Sequence, residues 1–185
     1  MTGTAPRPVL YVIACGGRPA GELGPFAKSC QDEGWDVCVV ATPSALKFMD
    51  PVALADLTGH PVRHDYKHPD EPDVLPPPDA MVVAPATFNT INKWAYGASD
   101  TLALGLLNEA VGLGLPLAAA PTPTAALARH PAFTESVARL RSWRVSVLFD
   151  PGRLATGDAP PFVPWDALIE TVAHWRSRRL PGVTP

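Results

Sequence analysis

The residues best suited to chemistry lie in one short segment, Pro85-Ala86-Thr87-Phe88-Asn89-Thr90, which we call the PATFNT loop. An amide and two hydroxyls follow the apolar run Met81-Val82-Val83-Ala84, which is typical of a buried strand, and a helix is predicted to open near Asn89-Thr90. Open α/β sheets bind ligands at the carboxyl ends of their strands, where polar loops lead into helix N-termini. The loop therefore predicts a ligand site, but its residue types alone do not name the ligand.

Two other strand ends carry groups that suit a phosphate. Gly16 and Gly17 follow the first apolar run, and Thr42 and Ser44 follow the second. Backbone N–H groups and hydroxyls at such positions bind anions. Each also has an ordinary structural explanation, because tight turns need glycine and because Thr or Ser at these positions would cap a helix.

Strands and helices are predicted to alternate along the chain. Apolar runs at 9–14, 35–41, 80–84, 115–120 and 145–149 predict strands, and helical patterns occupy 21–33, 51–59, 91–113, 125–140 and 165–178. The pattern at 91–113 fits one or two helices, and that at 125–140 is predicted to break near Pro131. A polar, proline-rich loop is expected from Arg63 to Pro78. This order predicts an α/β fold of three layers, a flavodoxin-like or Rossmann-like, mainly parallel sheet with helices on both faces.

Length and composition limit the class of protein. The 185 residues, 46% of them hydrophobic, predict one domain over 1–185 with its core at about 8–178 and a loose C-terminal tail. A net charge of −3 gives no electrostatic basis for binding nucleic acid or an anionic membrane. Cys15, Cys30 and Cys38 show neither a disulfide framework nor metal-ligand spacing, and they are expected to pack as small core residues, although Cys15 could face a ligand. No apolar run is long enough to span a bilayer, and we expect a cytoplasmic protein.

Several segments resemble those of one known family. PATFNT is similar to the PASANT motif of the homo-oligomeric flavin-containing cysteine decarboxylases, which include phosphopantothenoylcysteine and lantibiotic peptidyl-cysteine decarboxylases and, more distantly, flavin prenyltransferases. GASDTL at 97–102, VVATPSALKF at 39–48 and GRLATGD at 152–158 resemble further motifs of that family, in the same order. The similarity extends over about residues 8 to 175.

The resemblance implies FMN as the cofactor and a homo-oligomer, a trimer or a dodecamer built from trimers. Asn89 matches the motif residue that contacts the substrate carboxylate. The implied cofactor-binding residues are Gly16, Gly17, Thr42 and Ser44 for the phosphate, and Ala84, Pro85, Ala86, Thr87, Ala120 and Pro121 for the edges of the flavin ring. Phe88, where the family often has Ala, would stack near the flavin or fill a subunit interface, and Asp100 would cap or brace the helix.

Three family features are absent at the matching positions. The catalytic His of the decarboxylases falls near Glu71 here, so His68, with His64 behind it, is the nearest substitute. The Met-Asn pair of the P-x-M-N-x-x-M-W motif is missing from PTPTAALARHP at 121–131. The Cys of the C-terminal motif is Thr156, and an alcohol cannot replace a thiol in returning a proton or reducing equivalent. Decarboxylation by this chain should therefore stop at the oxidised, enethiol-type product.

These observations predict an FMN-binding flavoprotein, an oxidoreductase resembling the oxidative decarboxylases and acting on a small-molecule or peptidyl cysteine-type carboxylate. The alternative is a flavin-binding protein without decarboxylase activity that serves as a carrier, redox partner or regulator. A flavin prenyltransferase is disfavoured, since it needs a basic site and the strand-end loops offer only Arg18, Lys47 and Lys93.

Overall fold

A parallel sheet of five strands forms the centre of the protein. The computed structural model describes residues 6–68, 70–154 and 161–178. Within them the strand order is β2-β1-β3-β4-β5. The strands are β1 (Val9–Ala14), β2 (Asp36–Ala41), β3 (Ala80–Ala86), β4 (Leu117–Pro121) and β5 (Ser146–Val147).

Helices connect the strands, as a parallel sheet requires. They are α1 (Leu23–Asp32), α2 (Pro51–Thr58), α3 (Phe88–Ala95), α4 (Leu102–Leu113), α5 (Ala125–Ala128), α6 (Pro131–Ser142) and α7 (Trp165–Ser177), with 3-10 turns at Arg18–Glu22, Ala45–Lys47 and Pro151–Arg153. Among the described residues, no helix combines the length and apolar character needed to cross a membrane.

Both faces of the sheet are covered, because successive strand residues point to opposite sides. In β1, Leu10 and Val12 pack with α1, α2 and α7, whereas Tyr11 and Ile13 pack with α3, α4 and α6. The strands are accordingly apolar almost throughout, which is typical of a parallel sheet buried on both sides. The predicted three-layer α/β fold is confirmed.

The predicted element boundaries differ from the structure at β5 and agree with it in two helical regions. β5 is shorter than predicted, although the Leu148 N–H extends its pairing by donating to the Ala119 carbonyl oxygen across 2.8 Å. The helical stretch at 91–113 is two helices, separated by a turn with Gly97 at φ 72°. The predicted break near Pro131 is present, where α5 ends and α6 begins.

Between Gly59 and Asp79, the residues that the structure describes form no helix or strand, and the segment contacts the sheet at two places. Arg63 pairs with the edge of β2, because its carbonyl oxygen accepts from the Ala41 N–H at 2.7 Å. Further along, the Pro76 carbonyl oxygen accepts from the Tyr11 hydroxyl at 2.8 Å. Both ends of the expected long loop are therefore attached to the sheet.

Candidate functional site

The carboxyl ends of the strands bring the predicted site segments to one edge of the sheet. Backbone hydrogen bonds join neighbouring strand ends: Thr42 N–H to the Ala14 oxygen at 2.8 Å, Cys15 N–H to the Pro85 oxygen at 3.1 Å and Thr122 N–H to the Ala86 oxygen at 2.9 Å. The loops after β1, β2, β3 and β4 are thereby held side by side. This is the position at which open α/β sheets bind ligands.

The loops after β1 and β2 approach each other very closely. A Cβ atom added at Gly16 would lie 2.9 Å from Ser44 Oγ and 3.2 Å from the Ser44 carbonyl carbon. The neighbouring Gly17 has an extended backbone at φ 174°, with only a 3.8 Å contact for an added Cβ. Gly16 is therefore required for the close approach, and Gly17 is not.

Thr42 and Ser44 do not cap a helix, so that sequence expectation is wrong. Only a 3-10 turn, Ala45–Lys47, follows, and Ser44 stands at its N-terminus without a side-chain cap hydrogen bond. The Thr42 and Ser44 hydroxyl oxygens lie 3.5 Å apart. Because Ser44 is exposed, its hydroxyl is accessible at the strand-end edge.

The PATFNT loop starts inside the sheet. Ala84, Pro85 and Ala86 are buried parts of β3, with a cis peptide bond between Ala84 and Pro85. Thr87 then caps α3, accepting from the Thr90 N–H at 3.2 Å, and its hydroxyl oxygen lies 2.9 Å from that of Thr90. This cap explains why the helix opens at Phe88, slightly before the predicted start.

Asn89 lies in the first turn of α3, and its side chain is exposed. Phe88 beside it packs within the chain, with its ring centroid 5.6 Å from that of His130 and 6.1 Å from that of Phe133. At the far end of the helix, Asp100 pairs with Lys93, and this contact lowers the pKa of the Asp100 carboxyl. Asp100 thus braces α3, while the cap of α4 is supplied by Thr101.

The end of β4 borders a cavity of about 330 Å³ that also reaches β5 and the segment before α7. Ala120 and Pro121 are buried at this strand end. Sequence reasoning missed Arg153 and Phe162, which line the cavity with the guanidinium carbon 3.8 Å from the ring centroid. Arg153 belongs to the GRLATGD segment at 152–158, but nothing in the sequence indicated its contact with Phe162. Thr156 lies outside the described residues.

His68 is held in a turn of its own, described at residues 67, 68 and 70–73, which we call the His68 turn. The Glu71 N–H donates to the His68 carbonyl oxygen at 3.0 Å, and the His68 N–H donates to the Glu71 carboxylate at 3.2 Å. The imidazole is 68% exposed and faces Asp70 at 3.4 Å. Within the described ranges, no hydrogen bond or ion pair links this turn to the PATFNT loop.

Cys15 is buried beneath the PATFNT loop rather than facing a ligand. Its side chain is 0% exposed, and burial raises the pKa of its thiol. Of the two interpretations that the sequence allowed for Cys15, a packed core residue is confirmed and exposure to a ligand is wrong.

Comparison of the sequence with known families and proteins gives a consistent result. The model of the family described as "Flavoprotein" matches residues 11–177. The coenzyme A biosynthesis bifunctional protein CoaBC of Mycolicibacterium smegmatis is 30% identical over 164 residues, covering 84% of this chain and 38% of that protein. A probable phosphopantothenoylcysteine decarboxylase of Streptococcus mutans is 28% identical over 120 residues, 60% of this chain and 64% of that protein. The chain thus spans about two fifths of the length of the CoaBC relative.

Solved structures share the fold. A mutant PPC decarboxylase in complex with pantothenoylaminoethenethiol superposes with a TM-score of 0.73 at 22% identity, covering 93% of this chain and 100% of that one. The FMN binding protein AtHal3 gives a TM-score of 0.72 at 23% identity, with coverage of 94% and 99%. At these identities the similarity establishes the architecture alone.

Proposed function

The chain belongs to the flavoprotein family, the one that its PATFNT loop resembles, and on that premise we propose that it binds FMN at the carboxyl edge of the sheet. The observation that carries the proposal is the close packing of Gly16 against Ser44 beside the PATFNT loop. Relatives described as decarboxylases and an FMN binding protein of the same fold support this cofactor.

The residues at this edge fit a flavin phosphate. The Gly16 backbone lies where any larger residue would meet Ser44, so the loops after β1 and β2 can lie close enough together to share one anion. The hydroxyls of Thr42 and Ser44 would donate to phosphate oxygens, together with the Gly17 N–H. Along β3 and β4 the small residues Ala84, Pro85, Ala86, Thr87, Ala120 and Pro121 would let a flat ring approach the backbone.

Asn89 would orient the substrate. Because the Asn89 side chain is exposed, its amide N–H₂ group can donate a hydrogen bond to a substrate carboxylate. Bound FMN would supply the two-electron acceptor for the reaction. We therefore propose an oxidoreductase resembling the oxidative decarboxylases and acting on a small molecule or peptide that carries a cysteine-type carboxylate.

His68 would have to move to take part. In the structure it lies in an exposed turn that is bonded to itself. A loop closure over bound substrate would bring it to the site, and without that closure Asn89 acts alone. Since Thr156 stands where the family has a thiol, the proposed product is the oxidised, enethiol-type compound.

The exposed position of His68 also favours a second function, flavin binding without decarboxylase activity. With the imidazole outside the site and the Met-Asn pair absent, the chain could hold FMN without decarboxylating anything. It would then serve as a carrier, redox partner or regulator. The intact PATFNT loop fits both functions, because flavin binding alone is enough to require it.

The visible spectrum of the purified chain, before and after incubation with FMN, tests the cofactor. Bound flavin released on denaturation is the expected result, and failure to bind FMN after reconstitution would refute both functions. Anaerobic bleaching on addition of peptides ending in Cys then separates them. Bleaching with loss of carbon dioxide identifies the enzyme, whereas a stable oxidised spectrum identifies the carrier.

We also propose that the chain forms a homo-oligomer, a trimer or a dodecamer. Exposed apolar side chains, among them Leu113 at 74% and Tyr96 at 57%, offer surface for such contacts. Light scattering of the FMN-loaded protein would give a mass of three or twelve chains. A monomer at all concentrations would exclude the oligomer.

A further inference from the structure

The Tyr66 hydroxyl lies against the first turn of α4, just before the His68 turn in the sequence. It donates to the carbonyl oxygens of Thr101 at 3.2 Å and Ser99 at 3.4 Å. A Cβ atom added at Gly105 would collide with this hydroxyl and would lie 3.4 Å from ring carbon Cζ. Tyr66 is nevertheless 56% exposed, so the hydroxyl contacts hold the ring in place more than burial does.

The two acceptor carbonyls belong to the turn between α3 and α4, which is held independently of Tyr66. Asn108 Nδ2 donates to the Ala98 carbonyl oxygen at 2.8 Å and lies 2.9 Å from Ser99 Oγ. Thr101 supplies the side-chain cap of α4. The turn therefore keeps both acceptors in place whether or not the Tyr66 hydroxyl is bound to them.

This attachment point lies at the far end of α3 from Asn89. Asn89 is in the first turn of the helix, whereas the acceptor carbonyls follow its last turn. The helix rises about 9 Å between Asn89 and its end. While Tyr66 is attached, the two residues from Tyr66 to His68 span at most about 7 Å. The contact therefore keeps His68 near the end of α3 that is distant from Asn89.

Release of Tyr66 would leave Arg63 as the next fixed point before His68. The Arg63 backbone pairs with the carboxyl end of β2, because its carbonyl oxygen accepts from the Ala41 N–H at 2.7 Å and its N–H donates to the Val39 oxygen at 3.2 Å. The extended chain from Arg63 to His68 reaches about 17 Å. The end of β3 lies two strand spacings from β2, about 10 Å away. The released chain is therefore long enough to bring His68 to the start of the PATFNT loop.

We propose that Tyr66 is a positioning residue that holds the His68 imidazole away from Asn89, and that release of its hydroxyl lets the imidazole join the site. The chemistry rests on the proposed function, whereas the position of the His68 turn is a property of the chain without cofactor. A single exposed hydrogen bond contributes little net stability. The released state is therefore a minor population that a small change in this contact shifts.

Two substitutions break the contact from opposite sides. Tyr66→Phe removes the hydroxyl, and Gly105→Ala fills the space that the hydroxyl occupies. The matched control is Gly112→Ala, which lies in the same helix and whose added Cβ meets nothing within 4 Å. His68→Asn, combined with either variant, shows whether an effect depends on the imidazole.

The first test is anaerobic bleaching of the FMN-loaded protein by a pentapeptide that ends in Cys. Tyr66→Phe and Gly105→Ala should each raise the limiting rate by about three- to sevenfold, because each increases the released population. The half-saturating peptide concentration should stay within about twofold, since Asn89 is unchanged, and Gly112→Ala should match wild type. Tyr66→Phe and Gly105→Ala together should be no faster than either alone.

The increase should disappear when His68→Asn is added to either variant. A general loosening of the loop would not depend on the imidazole in this way. An increase that persists without His68, or no increase in Tyr66→Phe and Gly105→Ala, would overturn the proposal.

Spin labels at His68→Cys and Asn89→Cys test the movement without the cofactor, since the native thiols are buried. Pulsed dipolar spectroscopy measures the distance between the labels, with excess unlabelled chain added to suppress distances between subunits. Tyr66→Phe and Gly105→Ala should enlarge a short-distance population by about three- to tenfold relative to the unsubstituted labelled chain and Gly112→Ala. If wild type neither binds FMN nor bleaches, the proposed function fails while this comparison still decides the positioning. Identical distance distributions in all four chains would refute it.

Discussion

The PATFNT loop and the His68 turn each contain one residue that is predicted from the sequence to be catalytic, Asn89 and His68, but the two segments are held in different ways. The loop begins inside β3 and is hydrogen-bonded to β1 through Cys15 and to β4 through Thr122. The turn bonds to itself, through His68, Glu71 and a Lys67–Asp73 ion pair at 3.1 Å. A functional group needs support from rigid elements to hold a productive geometry. Asn89 has that support and His68 does not.

The His68 turn is nevertheless tethered to the fold through its neighbour Tyr66. The Tyr66 hydroxyl donates to the carbonyl oxygens of Ser99 at 3.4 Å and Thr101 at 3.2 Å. A Cβ atom at Gly105 would collide with this hydroxyl, so glycine leaves room for it in α4. The tether limits how far the turn can travel while leaving the imidazole exposed.

Thiol labelling should show the largest difference between the two regions. In wild type all three thiols are buried, and burial raises the pKa of Cys30 and of Cys38 to about 12 and that of Cys15 above its ordinary value. Between pH 7 and 9 they should react with a disulfide reagent only through opening. The thiol introduced by His68→Cys should react at least about a thousandfold faster, and faster still as pH rises and the thiolate forms. Rapid labelling of wild-type Cys15 would show that the PATFNT loop is not held closed.

Catalysis provides the next comparison, between Asn89→Asp and His68→Asn in the FMN-loaded protein. We expect Asn89→Asp to slow peptide-dependent bleaching by about 10- to 100-fold, because a donor to the carboxylate is lost and a like charge is added. His68→Asn should change the rate by less than about threefold if the turn stays outside the site. Stopped-flow absorbance measures both. The reverse order of effects would show that the turn closes over the substrate and that Asn89 is dispensable.

FMN affinity should separate the two glycines after β1. Gly16→Ala introduces a Cβ that meets Ser44 within 2.9 Å, and we expect FMN to bind about tenfold more weakly. Gly17→Ala has an open, extended position and should leave the dissociation constant within about twofold. Fluorescence titration with FMN gives both values. Equal affinities for the two variants would mean that the Gly16–Ser44 contact is not part of the flavin site.

The smallest effects are expected for glycine substitutions in α4, where the Tyr66 hydroxyl attaches the His68 turn to the fold. Gly112→Ala in α4 meets open space and should raise the free energy of unfolding by about 0.5–1 kcal/mol. In the wild-type background, Gly105→Ala should not show this stabilisation, because the new Cβ meets the Tyr66 hydroxyl. In a Tyr66→Phe background the nearest atom would be the Cζ ring carbon at 3.4 Å, and the stabilisation should return. Urea denaturation measures each variant. The same gain at Gly105 in both backgrounds would show that Tyr66 does not pack there.

Much of the fold follows from local pattern. Apolar runs such as Val9–Ala14 predict buried strands, and the glycine and proline positions predict most helix ends. The short β5 and the two-helix structure of 91–113 depend on tertiary pairing and on one positive-φ glycine, which local pattern only suggests. The site was predictable to the level of strand-end loops, because parallel strands place those loops at one edge.

The contacts between segments were not predictable in the same way. The burial of Cys15, whose N–H donates to the Pro85 oxygen, and the fit of Ser44 over Gly16 each join residues that are far apart in sequence. The position of His68 relative to Asn89 depends on the course of a long loop without periodicity. A residue type near a matching position therefore does not establish a catalytic role.

The most direct test of the site is hydrogen exchange with and without FMN. Our account predicts slower exchange on FMN binding in three strand-end segments, 14–17, 41–45 and 84–90, and unchanged exchange in the His68 turn. Protection confined to other parts of the chain, or none in these three segments while FMN is bound, would contradict a flavin site at the carboxyl edge of the sheet.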